Sequence, residues 1–431
     1  MVTNIAHTLT VVILATTGHL FCPDAAARNY KYNPSAYTND YISLSLSRNH
    51  SCAITRDNLV YCWGRNQYGQ LGDGTTTDSP RPVRVRTHIM MTALSTGAGF
   101  TCGLSLYGNV LCWGTFYTRS GGQVNSRVPV PLSTEFSFSQ ITSSDTHSCA
   151  IDTMDVAWCW GKNSHGQLGR GSFTSSAGFS EVEGLQFERI AAGEGHTCGL
   201  TLSGALYCWG NNNYGQLGIG SLSDEAHPAR VNFEGSFYAV AAGEAHTCAI
   251  DTEGGVWCWG MLNPTVSPVE TAATPRLLEF PGGILFPAAS LVARGEMTCV
   301  EVLYGERYCW GRNDRGQLGT GTTNNSFYAP LLSRPEQWKH SYFVQVGGEH
   351  ACGLDDIGDG WCWGANDNGQ LGDDTQDDSL EAVMVYQRNG YEGDCMCTAG
   401  TRSRQGSGRL MLLLGFVAAM VLVRRFAPWH V

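Results

Sequence analysis

The stretch "HSCAITRDNLVYCWG", residues 50–64, holds two cysteines ten positions apart around a polar turn, with Trp-Gly directly after the second. Cys52 and Cys62 are the first of seven such pairs. The others are Cys102 with Cys112, Cys149 with Cys159, Cys198 with Cys208, Cys248 with Cys258, Cys299 with Cys309 and Cys352 with Cys362. Intervals between the first cysteines run 50, 47, 49, 50, 51 and 53, and a period of that length means one supersecondary unit per repeat. The repeat therefore overrides any domain count taken from the 431-residue length.

Each pair reads as a β-hairpin. The sixth residue after the first cysteine is Asn58, Gly108, Asp155, Gly204, Gly254, Gly305 or Gly358, all types that tolerate a left-handed backbone. That predicts a three-residue loop ending in a left-handed bulge residue. Counting outward from the loop sets each first cysteine opposite the second, in the narrow non-hydrogen-bonded position where a disulfide can form. Glu301 and Arg307 in the sixth copy fall opposite each other by the same count, where other copies carry an apolar pair such as Ile54 and Val60.

Alternation gives the two faces of the hairpin. One carries the cysteines. The other carries a small residue opposite an aromatic or leucine, beside a tryptophan present in every copy (Trp63, Trp113, Trp160, Trp209, Trp259, Trp310, Trp363). Few charges lie on either face, so both are expected to be covered. Short strands precede the hairpins, as in "FERIAAG", and follow them, as in "PARVNF". Four strands per roughly 50 residues, repeated seven times across 41–390, define an all-β fold, a seven-bladed β-propeller.

Five copies run from "CWG" into an asparagine and then "GQLG", as in "WGRNQYGQLG" and "WGNNNYGQLG". With the preceding "AAGEGHTC" or "VGGEHAC", the chain resembles the regulator of chromosome condensation repeat family. The resemblance implies a seven-bladed propeller over residues 41 to about 387. The family's founding member is a nuclear exchange factor for a small GTPase that also binds nucleosomes, a setting that this chain's features oppose. A light-sensing branch uses Gly-Trp-Arg-His-Thr motifs. Here "GEGHT" (193–197) and "GEAHT" (243–247) place glutamate at that tryptophan, so photoreception is not expected.

The ends point to the secretory pathway. Residues 1–27 read as a signal peptide, with an apolar core from Leu9 to Ala15 and small residues at 25–27, followed by an extension over 28–40. Residues 391–409 form a polar stalk, and 410–431 carry the apolar run "LMLLLGFVAAMVLVRR". That run reads either as a short membrane span stopped by Arg424 and Arg425 or as the tail of a lipid-anchor signal. The expected location is the cell surface, with full secretion as the alternative. A net charge of −11 without a basic run excludes a nucleic-acid footprint.

No catalytic, cofactor-binding or metal-ligating set stands out. His50, His147, His196, His246 and His350 recur two residues before the first cysteine, but Phe100 and Met297 replace them in two copies, so a packed structural histidine is expected. The glutamates at 194, 244, 296 and 349 are expected to cap turns. Sequons at Asn49 and Asn324 are candidate glycan sites, and Cys395 and Cys397 in the stalk have no assigned pairing. Repeats two and five replace the "GQLG" turn with "TFYTRSGGQV" and "MLNPTVSPVE". Departures from a repeated rule mark candidate function. Phe116, Tyr117, Arg119, Met261 and Leu262 are accordingly the expected contacts for an extracellular protein partner. The reading is a binding module, with a propeller-scaffold hydrolase or lyase as the alternative and a nucleotide-exchange factor behind both.

Overall fold

A computed structural model describes residues 39–118, 120, 122–133, 136–174, 176–263, 268–279, 287–302, 306–327 and 343–386. Seven antiparallel sheets follow one another along the chain, at 41–84, 91–133, 138–186, 189–230, 237–277, 288–311 and 343–384. They are blades 1 to 7 of an all-β propeller. In blade 1 the strands Tyr41–Leu46, His50–Thr55, Val60–Gly64 and Ser79–Arg84 pair in sequence order. The other blades repeat this order; among the described residues blade 6 shows three strands and a bridge from Gly311 to Ser326.

The first strand of every blade is innermost, and the seven together line a central cavity of about 350 Å³. Because strands alternate in direction, the inner-to-second and third-to-outer connections share one end of the ring, here the mouth end. The hairpin tips and blade-to-blade connections share the other, the tip end. At the tip end the carbonyl of the left-handed hairpin residue accepts the N–H that opens the next inner strand, as from Met91 to Asn58 and from Phe237 to Gly204. The bond from Tyr41 to Gly358 closes the ring.

All seven cysteine pairs are disulfides, as the hairpin count requires. Cys52 is bonded to Cys62, Cys102 to Cys112, Cys149 to Cys159 and Cys198 to Cys208. Cys248 is bonded to Cys258, Cys299 to Cys309 and Cys352 to Cys362. The two residues of each pair are directly opposed in register, with Cα atoms 4.0–4.2 Å apart. The loop follows the expected geometry, with φ between +59° and +89° at Asn58, Gly108, Asp155, Gly204, Gly254 and Gly358. Gly305 lies outside the described residues.

The Glu301–Arg307 pair also sits as counted: the two are in register and Arg307 Nη2 lies 3.2 Å from Glu301 Oε1, with the arginine buried. Glu301→Ala should cost about 1–3 kcal/mol and Glu301→Ala/Arg307→Ala less, since the single change removes the carboxylate facing a buried cation. Urea midpoints would show it; equal losses would contradict a coupled pair.

The repeated "GQLG" turn proves to be the clasp between blades. Its asparagine is fully buried and organises the turn. Asn212 Oδ1 accepts the Leu217 N–H, while Nδ2 donates to the carbonyls of Ser221 and Ser223. The leucine enters the seam beside the next blade's tryptophan, and in four of the five clasps the glutamine carbonyl accepts that tryptophan's indole N–H. Trp63, Trp209, Trp259 and Trp363 each donate at 2.9 Å to Gln370, Gln167, Gln216 and Gln317 respectively. Gly218 closes the turn at φ +70°, and a Cβ there would lie 2.6 Å from the Trp259 indole nitrogen.

The histidines belong to the same clasp. His50, His147, His196, His246 and His350 place Nε2 2.7–2.9 Å from a hydroxyl of the next blade, on Thr101, Thr197, Thr247, Thr298 and Ser51. Four of those hydroxyls donate to the glutamine carbonyl, so the histidine there must donate through Nε2. Burial lowers the five pKa values to about 3, or about 4 for His246, which keeps the rings neutral. In blade 6, where Met297 replaces the histidine, the facing hydroxyl is also gone: Ala351 stands there, and both pack with Trp363.

Blades 2 and 5 solve the seam differently, and this corrects the sequence reading of Phe116. In blade 2 the third and outer strands continue as a longer hairpin, pairing Phe116 with Val124 and Tyr117 with Gln123. Phe116 is only 2% exposed and packs with Phe100 and Trp160 in the seam to blade 3. It is a core residue, since without a clasp leucine the seam needs another apolar side chain. In blade 5 Leu262 packs toward Trp259 and Trp310, filling the corresponding seam to blade 6.

Candidate functional site at the mouth of the ring

The turns from inner to second strand carry most of the charge around the central opening. Arg48 comes from blade 1, Asp145 from blade 3, Glu194 from blade 4 and Glu244 from blade 5. Arg294 and Glu296 come from blade 6 and Glu349 from blade 7. Arg48 lies 3.1 Å from Glu194, 3.7 Å from Glu244 and 3.6 Å from Glu349, so one guanidinium ties four blades across the opening. Arg294 Nη2 donates to Asp145 Oδ1 at 2.8 Å. Five carboxylates thus surround two guanidiniums.

The imbalance perturbs the titrating groups. Burial, then the charges of Asp145 and Glu244, push the Glu194 carboxyl up to about 7 against the opposing pull of Arg48 and Arg294. Glu296 is raised for the same reasons, burial first and then Glu244. Burial disfavours the Arg48 charge, but Glu194, Asp145, Glu349 and Glu244 outweigh it and hold its pKa above the ordinary value. The site can therefore exchange a proton near neutrality and presents excess negative charge.

A pH dependence follows. Glu194 rises from an ordinary 4.5 to about 7 on folding, so its stabilising contribution is full below about 4.5 and is lost as pH rises through about 7. Glu194→Gln should therefore raise stability at pH 8 by about 1–3 kcal/mol and leave it nearly unchanged at pH 4.5. Thermal unfolding at both pH values tests this; a variant less stable than the parent at pH 8 would contradict it.

The turn-capping role expected for the glutamates passes to the backbone: the N–H groups of Glu194 and Glu244 bond Gly243 and Gly295 of the next blade, freeing the carboxylates for the opening. Of the expected partner contacts, Tyr117 and Met261 are half-buried and belong to the mouth end, and Leu262 is part of a seam. Met261 and Glu296 line one small cavity with His246 and Trp310, which brings blade 5 next to the charged opening. Arg119 lies outside the described residues. No group of His, Cys, Asp and Glu side chains among the described residues is arranged to hold a metal ion.

The RCC1-like domain profile matches residues 23–265, and the Regulator of chromosome condensation (RCC1) repeat profile matches residues 304–354. The chain belongs to the RCC1-like propeller family. It is 30% identical over 354 residues to the Ultraviolet-B receptor UVR8 of Arabidopsis thaliana, covering 79% of this chain and 69% of the receptor. The crystal structure of human WBSCR16 matches with a TM-score of 0.67 at 21% identity, covering 76% of this chain and 94% of that one. Prp20p from Saccharomyces cerevisiae, which has binding properties to Gsp1p and histones, matches with a TM-score of 0.66 at 19% identity, over 77% and 87% of the two chains. These two structures support the fold alone.

Proposed function

We propose that the chain is a cell-surface protein-binding module: a disulfide-stapled propeller, exported by residues 1–27, tethered through 410–431 and offering its mouth end to an extracellular protein. The charged opening carries this reading. Glutamate recurs at this turn in blades 4 to 7, but Arg48 and Arg294 follow no repeat rule, and a surface of excess negative charge selects partners by complementarity. Met261 adjoins it beside Glu296, Tyr117 lies on the same end of the ring, Arg119 stays a proposed contact outside the described residues, and Phe116 and Leu262 drop out as seam residues. The seven disulfides support an oxidising compartment. Asn49 and the exposed Asn324 are proposed glycan acceptors.

Proximity labelling on intact cells tests the proposal. Arg48→Glu and the pair Tyr117→Ala/Met261→Ala should each deplete the labelled partner at least several-fold, with normal surface levels. Undiminished labelling in both would overturn a mouth-end site. One observation favours a second reading: a carboxyl with pKa near 7 above a cavity suits general acid chemistry. A hydrolase or lyase of that kind would lose turnover, rather than partner labelling, in Glu194→Gln.

A further inference from the structure

We infer that the central cavity of the ring is a binding site for a small organic amine with an apolar body. The inference goes beyond the partner-binding reading and does not depend on export or tethering. The cavity of about 350 Å³ holds a ligand of roughly a dozen non-hydrogen atoms, at about 30 Å³ for each as for liquid water. Its wall is uneven although its frame repeats. In each blade one inner-strand residue lies in register with the first cysteine of the hairpin and lines the cavity. Blades 7, 1, 2 and 3 place Gln345, Ser45, Ser95 and Thr142 there. Blades 4, 5 and 6 place Ala191, Ala241 and Val292, so a polar wall faces an apolar one. Ser45 and Thr142 are engaged by the next blade, through Thr96 and the Ala192 N–H. Ser95 is only 8% exposed, yet its hydroxyl has no hydrogen-bond partner among the described residues, and neither has the Gln345 amide. A few unsatisfied polar groups on an otherwise apolar concave wall are what fixes a small ligand's orientation.

The roof of the cavity selects the charge. Among the described residues that line it, the charged ones are Asp145, Glu194 and Arg294, two carboxylates against one guanidinium. Arg294 departs from its column. The place three residues before the histidine position is Gly97, Gly193, Gly243 or Gly347 in four blades and Ser47 or Ser144 in two. From blade 6 its side chain reaches blade 3, where Nη1 donates to the Ser143 carbonyl at 3.3 Å and Nη2 to Asp145 Oδ1 at 2.8 Å. A guanidinium held over the cavity by a carboxylate shows that this roof accepts a cation. Burial and the neighbouring carboxylates raise the Glu194 carboxyl to about 7, and an ammonium beside it would hold it ionised. The ligand's ammonium is therefore assigned to Glu194 and Asp145, and its body to the apolar wall. A hydrogen-bonding substituent meets Ser95 and Gln345.

Calorimetric titration of the full-length protein tests the site with tyramine, and with p-cresol and para-hydroxyphenylacetate as neutral and anionic counterparts. Tyramine should saturate one site per chain with a Kd below about 1 mM, and the other two should bind at least about tenfold more weakly. Glu194→Gln should weaken tyramine at least about tenfold, and Ser95→Ala, a small change that keeps the fold, several-fold. Ala241→Leu, which fills the cavity from its apolar wall, should abolish binding. Arg294→Gly restores the commonest residue of that column and removes the competing cation, so it should tighten tyramine several-fold. No saturable binding up to about 10 mM, as for a cavity that holds only water, would overturn the site. So would equal affinity for the three compounds, or a Kd unmoved by both Ser95→Ala and Glu194→Gln. Each of these results would leave the partner-binding reading standing, because partner labelling on cells is read separately.

Discussion

Full reduction of the native protein should unfold the propeller at room temperature without added denaturant. Each disulfide closes a loop with a sequence separation of 10, worth about 2–3 kcal/mol through the entropy of the unfolded chain. Seven of them together exceed the roughly 5–15 kcal/mol that typically separates a folded domain from its unfolded chain. The bonds are also buried: twelve of the fourteen half-cystines lie at 0–1% exposure, with Cys299 at 3% and Cys258 at 4%, so reductant reaches them mainly through opening. Reduction should therefore be slow in buffer and accelerate in urea. Non-reducing peptide mapping should return the seven in-blade pairs, from Cys52 with Cys62 to Cys352 with Cys362, and no cross-blade pair among these cysteines. Mostly free thiols in the native protein, or an unchanged urea midpoint after complete reduction, would contradict the account.

Much of the fold was legible because its rules are local. A left-handed residue six places after the cysteine fixes the loop, the loop sets the register, and the register puts cysteine opposite cysteine and Glu301 opposite Arg307. The structural role of the histidines was legible from Phe100 and Met297, which occupy their position without imidazole chemistry. A further clue lay in the same columns: Ala351 lacks a hydroxyl directly after the blade whose histidine is Met297, so donor and acceptor are lost together.

The mouth was not legible in this way. Arg48 meets Glu194, Glu244 and Glu349, partners 146 to 301 residues away that only ring closure brings together. The glutamates also sit four residues before the cysteine in blades 4 and 5 but three before it in blades 6 and 7, which blurs the column. Their signal was positional: charged residues at the same inner turn of successive blades must converge on the axis of a closed ring.

Phe116→Ala should destabilise the propeller by about 3–5 kcal/mol, the range for emptying a buried aromatic site. An aromatic in a turn that abandons the repeat reads locally as a surface anchor, but the missing information is the neighbour: Trp160, 44 residues further on, stands in the seam the turn must fill. A clasp leucine such as Leu71 fills the equivalent place between blades 1 and 2 beside Trp113. In blade 2 the clasp and its histidine are replaced together, by Phe116 and Phe100, so the seam exchanges a polar network for packed apolar volume. Phe116→Leu should therefore retain much of the stability, as a volume closer to the clasp leucine remains. Tyr117→Ala, at a half-buried position, should cost less than Phe116→Ala. Urea unfolding of the three variants tests the ranking. A Phe116→Ala protein as stable as the parent, with partner labelling lost, would return Phe116 to the binding surface and remove it from the seam.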